Sequence, residues 1–295
     1  MSDFILKGTT MALEQENDEN AKYLKDFDDL IMAFIHIGNL LQGTKNVFGT
    51  KNLIYAEGLS QKILQHTLAV KQLISPYSLF IKGTPYQPRI EFSSIFVLVR
   101  AALETYLTLN HIYTTSENQL ELEFRFHAWD LAGYLERLKY PAMSAESLLQ
   151  QSEETKASLL VKNEIENNPY FMRLGDKLQK EVFKGNWRLS KGWSELAVNA
   201  GFNKSFFDTN YKFLCGYAHS GRLSVLQILQ TKDVKDQESM SLGCVGTLMV
   251  VIAKHVYDYI ELLPELKKAV QINSPEFQLI SLWKQIGENL NTEPT

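Results

Sequence analysis

Arg100 and Glu104 stand one helical turn apart inside one of the most apolar stretches of the chain, Ile95-Phe-Val-Leu-Val-Arg-Ala-Ala-Leu-Glu-Thr-Tyr-Leu107. At about 100° per residue, Ser93, Arg100, Glu104 and His111 fall within roughly 40° of one another on a helix. Charges placed among Val, Leu and Phe are expensive unless they are paired or put to use. The stripe is therefore either a structural ion pair or one wall of a site. A helix apolar on nearly all sides must be covered on all sides, which predicts Ile95, Val99, Leu103 and Leu107 as core. Replacing Arg100 alone with Met should cost on the order of 3–5 kcal/mol, because Glu104 is left stranded, and a double apolar replacement should cost less.

The second chemically suggestive segment is Tyr211-Lys-Phe-Leu-Cys-Gly-Tyr-Ala-His219-Ser-Gly221. On a helix Asp208, Lys212, Cys215 and His219 share a face, while Phe213, Leu214 and Tyr217 point elsewhere. His219 has two readings. As a helix C-terminal residue it gains about 0.3–1 kcal/mol from the dipole when protonated, with Gly221 as the stop. As a general acid or base it would face the Arg100–Glu104 stripe across a bundle.

Other motif classes find no support. The loop Gly43-Thr-Lys-Asn-Val-Phe-Gly49-Thr-Lys51 has the wrong spacing for a phosphate-binding Walker loop, and its flanks read as helix rather than strand. There is no His-Glu-x-x-His or Glu-x-x-His pattern, only Glu123-x-x-x-His127, so neither a metal nor another cofactor is expected. A Gly-x-Ser-x-Gly nucleophile elbow is also lacking.

The elements that must position these residues read as helices throughout. Periodicity predicts helices over about 18–42, 52–75, 90–114, 117–139, 143–166, 169–184, 190–200, 204–219, 238–262 and 275–290, with ends uncertain by ~2–4 residues. No Asn-Gly or Asp-Gly hairpin signal appears, and Pro85 and Pro88 suggest an extended lead-in to the Arg100 helix. The fold class is all-α, a multi-helix bundle over 51–265, with an acidic helical extension at 1–50 and a C-terminal helix at 266–295. That last helix, apolar on one face, would dock on the bundle or on a second copy, giving a homodimer.

The 295 residues are 45% hydrophobic and carry a formal net charge of −4, which gives no global attraction for nucleic acid or acidic membranes. Two cysteines, Cys215 and Cys244, suit a reducing cytoplasm. The start has no signal-peptide pattern, and the run Leu242 to Ala253 is too short to span a membrane, so it reads as a core helix. Locally, 173–222 holds nine basic and four acidic side chains interleaved with Phe183, Trp187, Trp193, Phe206, Phe207, Tyr211, Phe213 and Tyr217. Such a segment is either a surface for single-stranded nucleic acid or an amphipathic helix pair with its aromatics inside.

The pattern Leu98-Val-Arg100-Ala-Ala-Leu-Glu104-Thr-Tyr followed by Tyr211-Lys-Phe-Leu-Cys-Gly-Tyr-Ala-His219-Ser resembles a largely bacterial family of helical proteins known only as a domain of unknown function. That family pairs an R-x-x-x-E helix with a later Y-x-x-L-x-x-x-x-H helix. The resemblance covers roughly residues 60–225 and implies Arg100, Glu104, Tyr211 and His219 as site residues, with Trp193, Leu196 and Ala197 on the intervening helix. More distantly the chain is similar to HEPN proteins, helical ribonucleases and nucleotide-binding domains common in toxin and defence systems. Their Arg-x4–6-His signature is not met: the nearest basic residue before His219 is Lys212, and an arginine would have to come from another helix, as Arg100 could. Two functions remain. One is a metal-independent nuclease or nucleotide-acting enzyme in which Arg100 and Lys212 bind phosphate, His219 moves protons, Glu104 orients and Tyr211 donates a hydrogen bond. The other is a non-catalytic binding or regulatory module, of the kind found in defence or toxin systems, whose Arg100–Glu104 pair fixes helix register.

Overall fold

A computed structural model describes residues 2–41 and 53–289, with side chains from residue 19 onward. The Gly43–Lys51 loop and the acidic side chains before residue 19 lie outside the described residues. The fold is all-α. In chain order the helices are α1 (Ser2–Asn39), α2 (Leu53–Leu73), α3 (Phe92–Leu109), α4 (Gln119–Arg137), α5 (Ala145–Glu166), α6 (Pro169–Met172), α7 (Asp176–Val182), α8 (Trp193–Asn199), α9 (Lys204–Ala218), α10 (Arg222–Gln230), α11 (Val234–Leu262), α12 (Pro264–Ala269) and α13 (Pro275–Asn289). A hairpin of β1 (Phe80–Ile81) and β2 (Thr84–Pro85) precedes α3.

The chain groups into two compact units, one of residues 1–47, 60–105 and 208–295, the other of 48–59 and 106–207. In the first, α11 is the central element. It is capped by Asp233, whose side chain accepts from the Asp236 amide at 2.8 Å, and Val245, Leu248, Met249, Val251 and Ile252 are all buried. α1 and α13 pack along it. Two glycines permit that approach. A Cβ on Gly246 would collide with the Tyr23 hydroxyl, and one on Gly287 with Val250. The apolar face of α13, with Ile280 and Trp283, is thus buried within the chain itself. In the second unit, Phe124, Ala128 and Leu131 of α4 form a core with Ile165, Phe171 and Val182. Its helices start where the sequence supplies caps: Asn118 for α4, Ser144 in a capping box for α5, and Asn168 ahead of Pro169 for α6.

α3 is a core helix, with Ile95, Val99, Leu103 and Leu107 at 0–1% exposure. It is not covered on every side, however. Val97 is 43% exposed and Ser94 is exposed, so one face opens to solvent. Its end departs from the expected helix over 90–114. The last turn, Asn110–Thr114, widens to a π-helix, which removes His111 from the 100° register of Arg100 and Glu104. Two windows, 92–114 and 234–262, are long and apolar enough to cross a membrane, but they are 61% and 72% buried in the protein, as core helices are.

Further elements differ from the expected pattern: α1 starts at Ser2 and not near 18, and α12 falls where no helix was expected. Lys82 and Gly83, both at positive φ (51° and 80°), make a two-residue turn without the Asn-Gly signal. The expected helix 169–184 breaks at Arg173–Gly175 into α6 and α7. α10 begins right after Gly221, which therefore starts a helix rather than only stopping one. The left-handed residue after α9 is Ser220, φ 52°. Gly221 is needed for space: a Cβ there would lie 3.2 Å from both the Cα and the carbonyl oxygen of Gly216.

Gly287→Ala should lower stability by about 1–3 kcal/mol in urea denaturation, since overpacking forces α13 from α11. Gly58, mid-helix in α2 with open space around it, is the control: Gly58→Ala should raise stability by about 0.5–1 kcal/mol. A Gly287→Ala protein as stable as the parent contradicts the close packing.

Candidate functional site

Aromatic packing sets the geometry before any polar group acts. Phe96 of α3 stacks on Tyr217 of α9 with centroids 4.2 Å apart and planes 12° from parallel. Phe213 meets Phe96 edge-on at 5.2 Å, and Phe92 meets Tyr217 at 6.2 Å. These contacts lay α9 antiparallel against α3. The start of α9 is fixed by Asn203, whose side chain accepts from the Phe206 amide at 3.0 Å. One turn beyond Phe96 is Arg100, and one turn beyond that Glu104. They meet the face of α9 that carries Tyr211, Cys215 and His219.

The polar groups then close into one network. Arg100 Nε donates to Glu104 Oε1 at 2.9 Å, and Tyr211 Oη donates to the same oxygen at 2.7 Å. The Arg100 guanidinium lies 5.7 Å from the Tyr211 ring centroid, within cation–π range. Its Nη1 is 3.0 Å from His219 Nε2. Arginine can only donate, so Nε2 accepts and the imidazole proton resides on Nδ1. His219 therefore meets the guanidinium and not the carboxylate, at an exposed edge of the cluster.

Burial works to lower the Arg100 pKa, but the Tyr211 hydrogen bond and the Glu104 charge outweigh it and hold it above the ordinary value. Arg100 is a permanent cation. Burial first, then the hydrogen bond and charge of Glu104, push the Tyr211 phenol far up, so it acts as a donor and not as a base. His219 is left as the group of the four whose ring nitrogens can both accept and donate a proton.

Lys212 is not brought to this network. It is exposed, and with Thr209, Phe213, Gly216 and Tyr217 it lines a separate depression of about 650 Å³ on α9. His111 is also elsewhere, buried in the π-helical turn. There burial, followed by the Arg125 charge, lowers its pKa to about 3. Among the described residues no group of three or more His, Cys, Asp or Glu is disposed to hold a metal ion. Of the nine aromatics in 173–222, Phe202 included, none is exposed, whereas Lys177, Lys180, Lys184, Lys204, Lys212 and Arg222 are. This is the amphipathic arrangement and not an open stacking platform.

Among the described residues, the ion pair with both partners deeply buried is one that sequence reasoning passed over. Arg125 Nη2 donates to Glu121 Oε1 at 2.6 Å, with side chains only 8% and 4% exposed. Arg125 also donates to Thr115 Oγ1 at 3.0 Å. Burial works to raise the Glu121 carboxyl, but hydrogen bonds from the Glu117 amide and Tyr170, with the Arg125 charge, hold it below the ordinary value. The available signal was the same as for Arg100, an acid and an arginine one turn apart in an aromatic-rich helix, Leu120-Glu-Leu-Glu-Phe-Arg-Phe126.

An all-α protein with a half-buried arginine–glutamate–tyrosine cluster that presents a histidine to solvent is the class that fold and site define. A family model described as a family of unknown function (DUF5677) matches residues 89–237, α3 through the first turn of α11, and the chain belongs to that family. No curated protein and no solved structure matches the chain.

At 19% and 25% side-chain exposure, the Arg100–Glu104 pair is screened by solvent. Arg100→Met should therefore cost about 1–2 kcal/mol and not the amount expected for a sealed pair. Arg125→Met, which strands a buried Glu121, should cost about 3–5 kcal/mol. Urea denaturation of the two variants checks the ranking, and equal losses contradict it.

Proposed function

We propose that the Arg100–Glu104–Tyr211–His219 cluster is the active site of an enzyme acting on a phosphodiester or nucleotide, with the charge and proton transfer supplied by side chains. The observation that carries this reading is the 3.0 Å contact between Arg100 Nη1 and His219 Nε2 at a solvent-exposed edge. A guanidinium fits phosphate oxygens with parallel donors and keeps its charge. An incoming phosphate takes over the Nη1 donor, and that releases the lone pair of Nε2. The imidazole then accepts the proton of an attacking hydroxyl or water while the new P–O bond forms. The same proton returns to the oxygen that leaves as the old P–O bond breaks. Glu104 and Tyr211 do not touch the substrate in this scheme; they hold the guanidinium in place. An arginine and a histidine on separate helices would thereby serve as the HEPN-like signature does on one.

A specific observation also favours the non-catalytic reading. Arg100 Nε, Glu104 Oε1 and Tyr211 Oη already satisfy one another between α3 and α9, as a clamp that fixes helix register would. Activity measurements separate the two. The full-length protein is incubated with fluorescein-labelled single-stranded RNA and, separately, with nucleoside triphosphates, and products are resolved by chromatography. Turnover should appear with at least one of them, and His219→Ala should reduce it about 10²–10⁴-fold with little change in melting temperature. RNA binding should weaken steeply as salt is raised, because phosphate contacts release counterions. Absence of both binding at low salt and turnover leaves the clamp, as does activity retained in His219→Ala.

A further inference from the structure

A second cavity, of about 460 Å³, lies in the unit formed by residues 48–59 and 106–207, and the proposed catalysis makes no use of it. Its floor is one face of α4. There Trp129, Gly133 and Arg137 follow at one-turn spacing beside Asp130 and Tyr134, and Gly133 leaves space where a side chain would stand. Tyr55 and Trp187 complete the wall. The rings of Tyr55 and Trp129 meet at 82° with centroids 5.9 Å apart, so they form two sides of a corner. Tyr55 is held there by Phe126, 5.3 Å away.

Among the residues that line this aromatic corner, carboxylates outnumber cations. Asp130 lines it and makes no hydrogen bond or ion pair with a described residue. Burial raises its carboxyl above the ordinary value, against the smaller opposing effect of His127. His127 is itself held low by burial, so it supplies no fixed positive charge. Glu136 adds a second carboxylate to the lining. The one cation of the lining, Arg137, is engaged by Glu154 at 2.5 Å. Arg188 lies 4.6 Å over Trp193 and 5.9 Å over Trp187, but it is not itself among the residues that line the cavity.

Aromatic faces attract cations through the ring quadrupole, most strongly at indole, and a half-buried carboxylate adds direct attraction. Primary ammonium groups need acceptors for three N–H bonds, whereas the rings of Tyr55, Trp129, Tyr134 and Trp187 present faces suited to methyl groups around a cation. We infer that this cavity is a binding site for a quaternary or otherwise N-methylated ammonium ion, with its methyl groups against Trp129, Tyr55 and Trp187 and its charge toward Asp130.

The probes are choline, tetramethylammonium, and 3,3-dimethylbutan-1-ol, the uncharged isostere of choline. Binding to the full-length protein is followed by tryptophan fluorescence and calorimetry. Choline and tetramethylammonium should bind saturably, choline about tenfold or more tighter than the neutral isostere. Asp130→Asn and Tyr55→Ala should each weaken choline binding severalfold while the circular dichroism spectrum and melting temperature stay near the parent's. Trp129→Phe, which keeps a ring in place, should bind choline more weakly than the parent but better than Trp129→Leu. Three results overturn the inference: no saturable response to either cation in the tens of millimolar range, equal binding of the neutral isostere, or undiminished choline binding by folded Asp130→Asn and Tyr55→Ala. His219→Ala should bind choline as the parent does, so failure of the catalytic reading leaves this test intact.

Discussion

A guanidinium holds its charge at any pH at which a protein folds, and it donates hydrogen bonds but never accepts them. The relation between α3 and α9 follows from those two constraints acting on Arg100. On a helix as apolar as α3 the charge needs a carboxylate one turn away, and Glu104 supplies it. That carboxylate then recruits Tyr211 from α9. The remaining donors must meet an acceptor or solvent, and His219 Nε2 is the acceptor they find. The stacked Phe96–Tyr217 pair brings the two helices together, but it is indifferent to small slides along the axis. The polar groups set the register.

Two arginine–carboxylate pairs, Arg100–Glu104 and Glu121–Arg125, show why sequence spacing alone does not reveal purpose. Both join side chains one turn apart on a helix, and both lie among aromatic and aliphatic residues. Glu121–Arg125 is shut away, and Arg125 Nη1 is spent on the His111 carbonyl and the Thr115 hydroxyl while its buried Nε meets no acceptor among the described residues. That is what a structural pair requires. Arg100 instead reaches, at the open face of its helix, a histidine 119 residues away in sequence. The difference is burial, and burial is a property of the neighbours.

The parts of the fold legible in the sequence are those where one helix face suffices. The core positions of α3 and the boundaries of α2 and α9 follow from periodicity and turn chemistry. The Lys82-Gly83 turn was hidden because its first residue is not one that favours positive φ, and α10 because Gly221 reads as a terminator when its real task is close approach to Gly216. His219 could be placed opposite Arg100 only through the resemblance to an R-x-x-x-E and Y-x-x-L-x-x-x-x-H family, since no local rule links two helices so far apart. Lys212 shares the His219 face on a helical wheel, yet it leans toward the depression on the other side of α9. The wheel gives an angle, and side-chain direction decides within that angle. The corner of Tyr55, Trp129 and Trp187 draws on three separated segments and had no sequence signal at all.

The tautomer of His219 is the most direct measure of whether Arg100 sets this arrangement. Nitrogen-15 NMR of the imidazole in the full-length protein at neutral pH distinguishes a proton on Nδ1 from one on Nε2. With Arg100 Nη1 donating to Nε2, the neutral ring carries its proton on Nδ1, and the ordinary preference for Nε2–H returns in Arg100→Met. An Nε2–H tautomer in the parent protein, unchanged by Arg100→Met, contradicts the contact on which the site is built.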